Sequence, residues 1–145
     1  MQFARVNDIT IHHQVIGGPA EKPVLVFVNS LGTDFRIWRD VIVGLAGDAP
    51  LLTYDKRGHG LSDVGQVPYS IDDHVSDLIG LLETLSVRKA VICGLSVGGM
   101  IRVETVGSAP IRIGAASPES ACETESKPCR SAVRAAPACF RKTSP

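Results

Sequence analysis

Residues 89–101 read KAVICGLSVGGMI, and this stretch places a serine between two glycines directly after an apolar run. The run Ala90–Cys93 has the short, β-rich character of a strand that is buried in a sheet. Ser96 then has Gly94 and Gly98 two positions to either side. A serine in a tight turn between a strand and a helix needs such small neighbours, because larger ones would clash with adjacent backbone. The spacing therefore predicts that Ser96 is a nucleophile.

The residue after the serine has a role of its own in such a turn. Val97 would open the following helix, so its backbone N–H could donate to a negative charge that develops beside Ser96. The turn would also lie at the carboxyl end of the strands, where open α/β folds bind their ligands. The alternative is a glycine-rich turn whose serine takes no part in chemistry. A buried strand before the turn and a helix-compatible segment after it favour the nucleophile.

Strands and helices alternate along the chain before this turn. The predicted strands cover residues 9–16, 24–28, 51–54 and 89–93. The predicted helices have apolar stripes at Trp38–Leu45 and Ile71–Leu85, and Ser70 with Asp73 forms a capping box before the second. Alternating elements with strands buried on both faces indicate the α/β class, with a mostly parallel sheet and flanking helices.

The composition argues against several kinds of partner. Lys and Arg total 15, and so do Asp and Glu, so the balanced charge gives no reason to expect nucleic acid or an anionic membrane. The N-terminus lacks the apolar segment of a signal peptide, and no apolar run is long enough to span a membrane. We therefore expect a cytoplasmic protein. No histidines, cysteines or carboxylates have metal-ligand spacing, so we expect neither a metal nor another cofactor.

Three stretches carry a resemblance to a known family. They are VNSLGTDFRIW at residues 28–38, YDKRGHGLSD at 54–63 and ICGLSVGGMI at 92–101. Together they resemble the α/β-hydrolase fold family, and more narrowly the 3-oxoadipate enol-lactonases, which open a lactone ring in bacterial breakdown of protocatechuate and catechol. NSLGTD is the most discriminating stretch, because many relatives have a His-Gly pair there. The DKRGHGLSD loop is shared with general esterases and does not choose between the two.

The resemblance implies a set of roles for the residues of this chain. Ser96 matches the family nucleophile, and the backbone N–H groups of Leu31 and Val97 match the donors of the oxyanion hole. The implied substrate is a small-molecule ester or lactone. An ordinary strand-to-helix turn is the alternative for the loop around Leu31. General carboxylesterases and haloperoxidase-like relatives share the same turn, whereas a dehalogenase would place Asp at position 96.

Family members complete the catalytic triad with an acid and then a histidine, both after the serine. No Asp or His follows Ser96 in this sequence. The resemblance gives His59 a structural place in its loop, while His12 and His13 are adjacent on a strand and point to opposite faces as surface or sheet-packing residues. We expect His74, in the first turn of a helix, to be solvated. Because a serine without a base is a weak nucleophile, we expect impaired activity or a non-catalytic fragment.

The composition changes after Ile101. Residues 102–145 contain no Leu, Asp or His, but they hold three cysteines and five prolines. They show no sustained periodicity, although apolar positions between 103 and 113 could extend a helix or form an edge strand. We predict that residues 1–101 are the N-terminal portion of an α/β-hydrolase domain, truncated after the turn that carries Ser96, and that 102–145 form a disordered or out-of-frame tail. An uncovered sheet edge would then favour aggregation. The oligomeric state stays open.

Overall fold

The run VLVFV forms an interior strand of the sheet, as its continuous apolar character predicts. The structure, a computed structural model, describes residues 2–108 and the backbone of residues 112–115. In chain order the elements are β1 (Gln2–Val6), β2 (Ile9–Ile16), β3 (Val24–Val28), α1 (Arg39–Leu45), β4 (Leu51–Tyr54), α2 (Ile71–Thr84), β5 (Lys89–Gly94), α3 (Val97–Ser108) and β6 (Arg112–Ala115). A 3-10 turn at Phe35–Trp38 leads into α1.

The six strands form one sheet in the order β1-β2-β4-β3-β5-β6. β1 and β2 form an antiparallel hairpin, and β2 also runs antiparallel to β4. β4, β3, β5 and β6 are parallel to one another. The structure therefore confirms the predicted α/β class with a mostly parallel sheet. Parallel neighbours end at the same edge, so the loops after β3, β4 and β5 meet there.

Helices cover both faces of the sheet. α2 and α3 pack on one face, where Leu78, Leu81, Leu82 and Ile101 are fully buried with Val26 of β3. α1 and the turn before it pack on the other face in a second cluster, built around Phe27, Ala49 and Leu51 with Trp38, Val41 and Leu45. Burying each large aliphatic side chain contributes about 2 kcal/mol relative to leaving it in water.

The start of α2 confirms the predicted capping box. Ser70 Oγ accepts a hydrogen bond from the backbone N–H of Asp73 over 3.1 Å, and the Asp73 carboxylate accepts one from the backbone N–H of Ser70 over 2.7 Å. These hydrogen bonds lower the pKa of Asp73, because they stabilise its charged form. Two N–H groups at the helix end are thus satisfied, and the helix begins where the sequence places it.

The structure differs from the predicted boundary at Ile101. α3 crosses this position and ends at Ser108, and β6 then pairs in parallel with β5. The sequence predicts that this helix opens at Val97 and leaves its extension beyond Ile101 open. No apolar stripe marks the extension, because the buried face of the helix consists of Gly98, Ile101 and Thr105. β6 also covers the outer side of β5, which we expected to be an open edge. Residues 109–111 and 116–145 lie outside the described residues, so their assignment to a tail stays a prediction. Among the helices that the structure describes, none has the length and apolarity needed to cross a bilayer.

Candidate active site

Ser96 occupies a sharp turn between β5 and α3. Its φ is +56°, in the left-handed region that L-residues other than glycine rarely adopt. The side chain is exposed at the carboxyl edge of the sheet, and α3 begins at the next residue. The backbone N–H of Leu95 donates to the carbonyl of Val28 over 3.0 Å and ties the turn to β3. The chain thus holds a hydroxyl outward at a backbone cost of about 1–2 kcal/mol.

The glycines on either side of Ser96 are required by close backbone approach. A Cβ atom on Gly94 would overlap the carbonyl oxygen of Gly98, and one on Gly98 would overlap the carbonyl oxygen of Val28. Gly99 differs, since its nearest neighbour would be the Gly94 carbonyl oxygen at 3.8 Å, an ordinary contact. The turn therefore needs glycine at positions 94 and 98, which is the physical reason given above for the spacing around Ser96.

The loop after β3 reaches the same edge as Ser96. Val28 pairs with Gly94 in the parallel β3–β5 ladder, so Leu31 leaves the sheet beside the serine turn. Leu31 is exposed. Val97 is the first residue of α3, and its N–H therefore has no acceptor within the helix. The structure brings the loops of the two predicted oxyanion donors to one edge, and their role stays a prediction.

Hydrogen bonds within the loop after β3 fix its shape. Asn29 is buried, and its side-chain amide donates to the carbonyl of Thr33. The Thr33 hydroxyl donates in turn to the carbonyl of Ser30 over 2.9 Å. The two bonds close the segment from Asn29 to Thr33 on itself, so the backbone around Leu31 is held from both sides.

Lys56 lies beneath the same loop, and sequence analysis missed it. Its side chain is almost fully buried, and Nζ donates to the carbonyl oxygens of Asn29 and Ser30 over 2.9 and 3.0 Å. Burial lowers the pKa of Lys56 to about 8, although the nearby carboxylate of Asp55 opposes the change. A lysine inside a Gly-rich, charged loop carries no signal of burial by itself.

His59 has both ring nitrogens bound to backbone. Nδ1 lies 2.9 Å from the carbonyl oxygen of Arg57, and because that oxygen only accepts, Nδ1 carries the proton and donates. Nε2 accepts from the backbone N–H of Gly32 over 3.1 Å. The ring therefore links the loop after β4 to the loop after β3, in the structural place that the family resemblance implies. Neither nitrogen is free to take a proton from Ser96.

The side chain of Asp55, at the start of the loop after β4, binds groups from three other residues. His12 Nδ1 lies 2.9 Å from Asp55 Oδ2, which also accepts from the backbone N–H of Leu61 over 3.1 Å. The other oxygen accepts from the backbone N–H of Phe35 over 2.9 Å. His12 and His13 are both buried in the sheet, so they are packing residues and not surface residues.

The prediction that His74 is solvated is wrong. The residue was predicted to be solvated in the first turn of α2, but it is buried, and its ring packs edge-on against Tyr69 at a centroid distance of 5.9 Å. Tyr69, in the segment just before the helix, therefore helps to bury the His74 ring. Burial, aided by the positive charge of Lys56, lowers the pKa of His74. None of the hydrogen bonds found among residues 2–108 joins a histidine to the Ser96 hydroxyl.

Comparison with known proteins agrees with this geometry. A model of the alpha/beta hydrolase fold matches residues 23–117, which include the loop of Leu31, the loop of Lys56 and the Ser96 turn. The chain belongs to the α/β-hydrolase fold family. The match also extends beyond Ile101, in agreement with the observed α3 and β6.

Within the family, enol-lactonases are among the proteins that this chain resembles. It is 38% identical over 94 residues to 3-oxoadipate enol-lactonase 2 of Acinetobacter baylyi, covering 65% of this chain and 35% of that enzyme. The crystal structure of the enol-lactonase from Burkholderia xenovorans LB400 superposes with a TM-score of 0.71 at 36% identity, over 77% of this chain and 44% of that one.

A second solved structure with a similar superposition is that of a lactone-degrading enzyme. Est816, described as an N-acyl homoserine lactone degrading enzyme, superposes with a TM-score of 0.70 at 30% identity, over 77% of this chain and 42% of that one. The chain spans about a third of the length of the curated relatives it matches, at 35% and 32% for two enol-lactonases of Acinetobacter baylyi.

Proposed function

We propose that this chain carries the nucleophile and oxyanion part of a serine hydrolase that opens a small-molecule lactone, as the enol-lactonases do. The observation that supports this most is the Ser96 turn, with its left-handed φ of +56° and the close glycine packing on both sides. Ser86 has a similar φ outside the site, so the support comes from the combination of this φ with the close glycine packing and the place of Ser96 between β5 and α3. The similarity to enol-lactonases and to a lactone-degrading enzyme supports the substrate class.

The proposed chemistry is acyl transfer from the lactone to Ser96 and then to water. The Ser96 hydroxyl gives up its proton as its oxygen bonds to the carbonyl carbon of the lactone, and the ring C–O bond breaks as the ring oxygen takes up a proton, so the step has no net change in protons. The N–H groups of Leu31 and Val97 donate to the negative oxygen that forms on the way. Water then hydrolyses the ester on Ser96. No cofactor is required for either step.

We further propose that this chain is a slow catalyst. No Asp or His follows Ser96 in it, and His59 is fully occupied by backbone. An intact site that has lost its triad partners keeps roughly 10³-fold catalysis over water. These two observations also favour the second candidate function, a non-catalytic fragment. A general carboxylesterase would use the same residues on an open-chain ester.

The proposal also covers the kind of partner and the cellular location. The balanced charge of the chain supports a small-molecule substrate and gives no support for nucleic acid or a membrane as partner. A cytoplasmic location, as the sequence analysis expects, is part of the proposal.

A covalent labelling experiment tests the proposed nucleophile. The chain is incubated with a fluorophosphonate probe, and intact-mass and peptide mass spectrometry follow the adduct. We expect one adduct per chain, formed slowly and located on Ser96, and none in Ser96→Ala. Ser62→Ala is a matched control, because Ser62 lies in a neighbouring loop and donates to the backbone of Asp55. No adduct on Ser96, or equal labelling of Ser96→Ala, would favour the non-catalytic fragment. A lactone and an open-chain ester offered in competition then separate lactonase from esterase.

A further inference from the structure

The Lys56 ammonium donates a hydrogen bond to the peptide group that carries a predicted oxyanion donor. A peptide group contains the carbonyl of one residue and the N–H of the next, so the Ser30 carbonyl and the Leu31 N–H belong to the same plane. In a trans peptide the two point in opposite directions. Nζ of Lys56 donates to that carbonyl over 3.0 Å, and Thr33 Oγ1 donates to it over 2.9 Å. Two donors on the oxygen therefore hold the Leu31 N–H pointing away from Lys56.

The contacts of Lys56 are unusual for a buried cation. Burying an ammonium group is costly unless it is paired with a carboxylate. Among the ion pairs of residues 2–108 none involves Nζ of Lys56, whose acceptors are the carbonyls of Asn29 and Ser30. A neutral donor could satisfy the same two carbonyls without the cost of burying a charge. The position of the charge is therefore explained better by its effect on the loop than by stability.

A positive charge on the carbonyl also changes the N–H group of the same peptide. Hydrogen bonds to an ionised donor are about twice as strong as neutral ones, and bonds in a chain strengthen one another. A carbonyl that accepts from an ammonium leaves its peptide N–H more positive. The Leu31 N–H becomes a better donor to an anion as a result.

We infer that Lys56 is a positioning residue of the oxyanion site, which orients and polarises the Ser30–Leu31 peptide so that the Leu31 N–H donates to the anion formed at Ser96. The inference rests on the proposed function, because the anion forms only if Ser96 attacks a carbonyl. The Lys56 ammonium donates to the backbone carbonyls of Asn29 and Ser30. It acts through the backbone.

A pH titration of the wild-type chain by NMR tests whether the charge of Lys56 polarises the Ser30–Leu31 peptide, and it does not require activity. The ¹³Cε shift of Lys56 reports its protonation, and the ¹H and ¹⁵N shifts of the Leu31 amide report the polarisation of the peptide. We expect the Leu31 amide to titrate with the same midpoint as Lys56, near pH 8. The Gly99 amide, which donates to Ser96 O in the neighbouring turn, serves as the internal control. A Leu31 amide that does not follow Lys56 overturns the inference.

Labelling kinetics then test the consequence for the site. Lys56→Met keeps the length of the side chain and removes its charge. We expect the maximal rate of phosphonylation to fall about tenfold, less than the 10²–10³ that loss of a whole donor costs, with binding of the probe unchanged. Lys22→Met, at an exposed lysine, should label like wild type. An unchanged rate in a folded Lys56→Met chain refutes the role of Lys56 and leaves the proposed function standing. If the wild-type chain forms no phosphonyl adduct but the Leu31 amide still titrates with Lys56, the proposed function is refuted and the polarisation of the peptide by Lys56 is supported. If Lys56→Met does not fold, the wild-type titration decides.

Discussion

Arg57 binds both carboxylate oxygens of Asp77 and thereby joins the loop after β4 to helix α2. Its Nε and Nη2 donate over 2.6 and 2.7 Å, and both side chains are buried. Hydrogen bonding to Asp77 raises the pKa of Arg57, against the opposing effect of burial. The same loop carries Lys56 and His59, which bind the loop after β3. A helix on one face of the sheet is thus connected through one loop to the loop of Leu31, one of the two predicted oxyanion donors.

Removing the negative charge of this pair should destabilise the protein strongly. In Asp77→Asn the shape of the side chain is kept, but the buried guanidinium loses its closest counter-charge, and we expect the free energy of unfolding to fall by about 3 kcal/mol. Urea denaturation monitored by circular dichroism measures it. Asp72→Asn is the control, since Asp72 is exposed in the first turn of the same helix and should cost only a few tenths, about 0.5 kcal/mol. Equal losses in the two variants would contradict a buried ion pair.

Gly98 and Gly99, in the first turn of α3, should respond in opposite ways to alanine. Gly98→Ala places a methyl group against the carbonyl of Val28, so the turn must open, and we expect a loss of about 3 kcal/mol or more. Gly99→Ala adds a methyl group in ordinary contact and removes a helix-disfavouring glycine, so we expect a gain of about 0.5–1 kcal/mol. Thermal unfolding of both variants measures the contrast. A Gly98→Ala chain as stable as wild type would show that the turn does not depend on the approach of α3 to β3.

The parts of the fold that sequence predicts best are those that depend on local chemistry. The capping box of Ser70 and Asp73, the apolar strand at 24–28 and the glycine spacing around Ser96 each satisfy a requirement within a few residues. The structure has all three where the sequence places them. Local requirements leave a direct trace in the sequence, because the residue type itself supplies the donor, the apolar face or the missing side chain.

The parts that sequence analysis missed depend on distant partners. Lys56 is buried because two carbonyls 26 and 27 residues earlier accept hydrogen bonds from its ammonium group. The sequence of its own loop gives no sign of these partners. His74 is buried with the help of Tyr69, which packs against its ring. α3 continues past Ile101 without an apolar stripe because glycine and threonine serve as its inner face. In each case the decisive contact is made only once the chain has folded.

His74 should make the stability depend on pH. Because burial lowers its pKa in the folded state, the unfolded chain takes up a proton more readily than the folded chain as pH falls below about 6.5. The free energy of unfolding should therefore decrease from about pH 6.5 downward, by at most ~1.4 kcal/mol per pH unit for this one group. In His74→Phe the aromatic contact with Tyr69 is retained and this part of the slope is lost. Urea denaturation between about pH 5 and 7.5 measures both chains. The other titrating groups cancel in the difference between the two curves, so parallel curves would contradict a buried neutral His74.

The strained backbone at Ser96 should be relieved by glycine at the expense of the nucleophile. Ser96→Ala removes the hydroxyl but keeps a side chain at a φ of +56°, whereas Ser96→Gly removes both. Because left-handed backbone costs a non-glycine residue about 1–2 kcal/mol, and glycine loses some of that gain as extra freedom in the unfolded chain, Ser96→Gly should be more stable than Ser96→Ala by about 1 kcal/mol. Ser86 provides the matched pair, since it is exposed, has a φ of 55° and lies outside the site. Ser86→Gly should gain as much over Ser86→Ala, and both should still label with the fluorophosphonate probe. If only the Ser86 pair shows the gain, the turn does not hold residue 96 in the left-handed conformation, and the strongest support for a nucleophile at this position is lost.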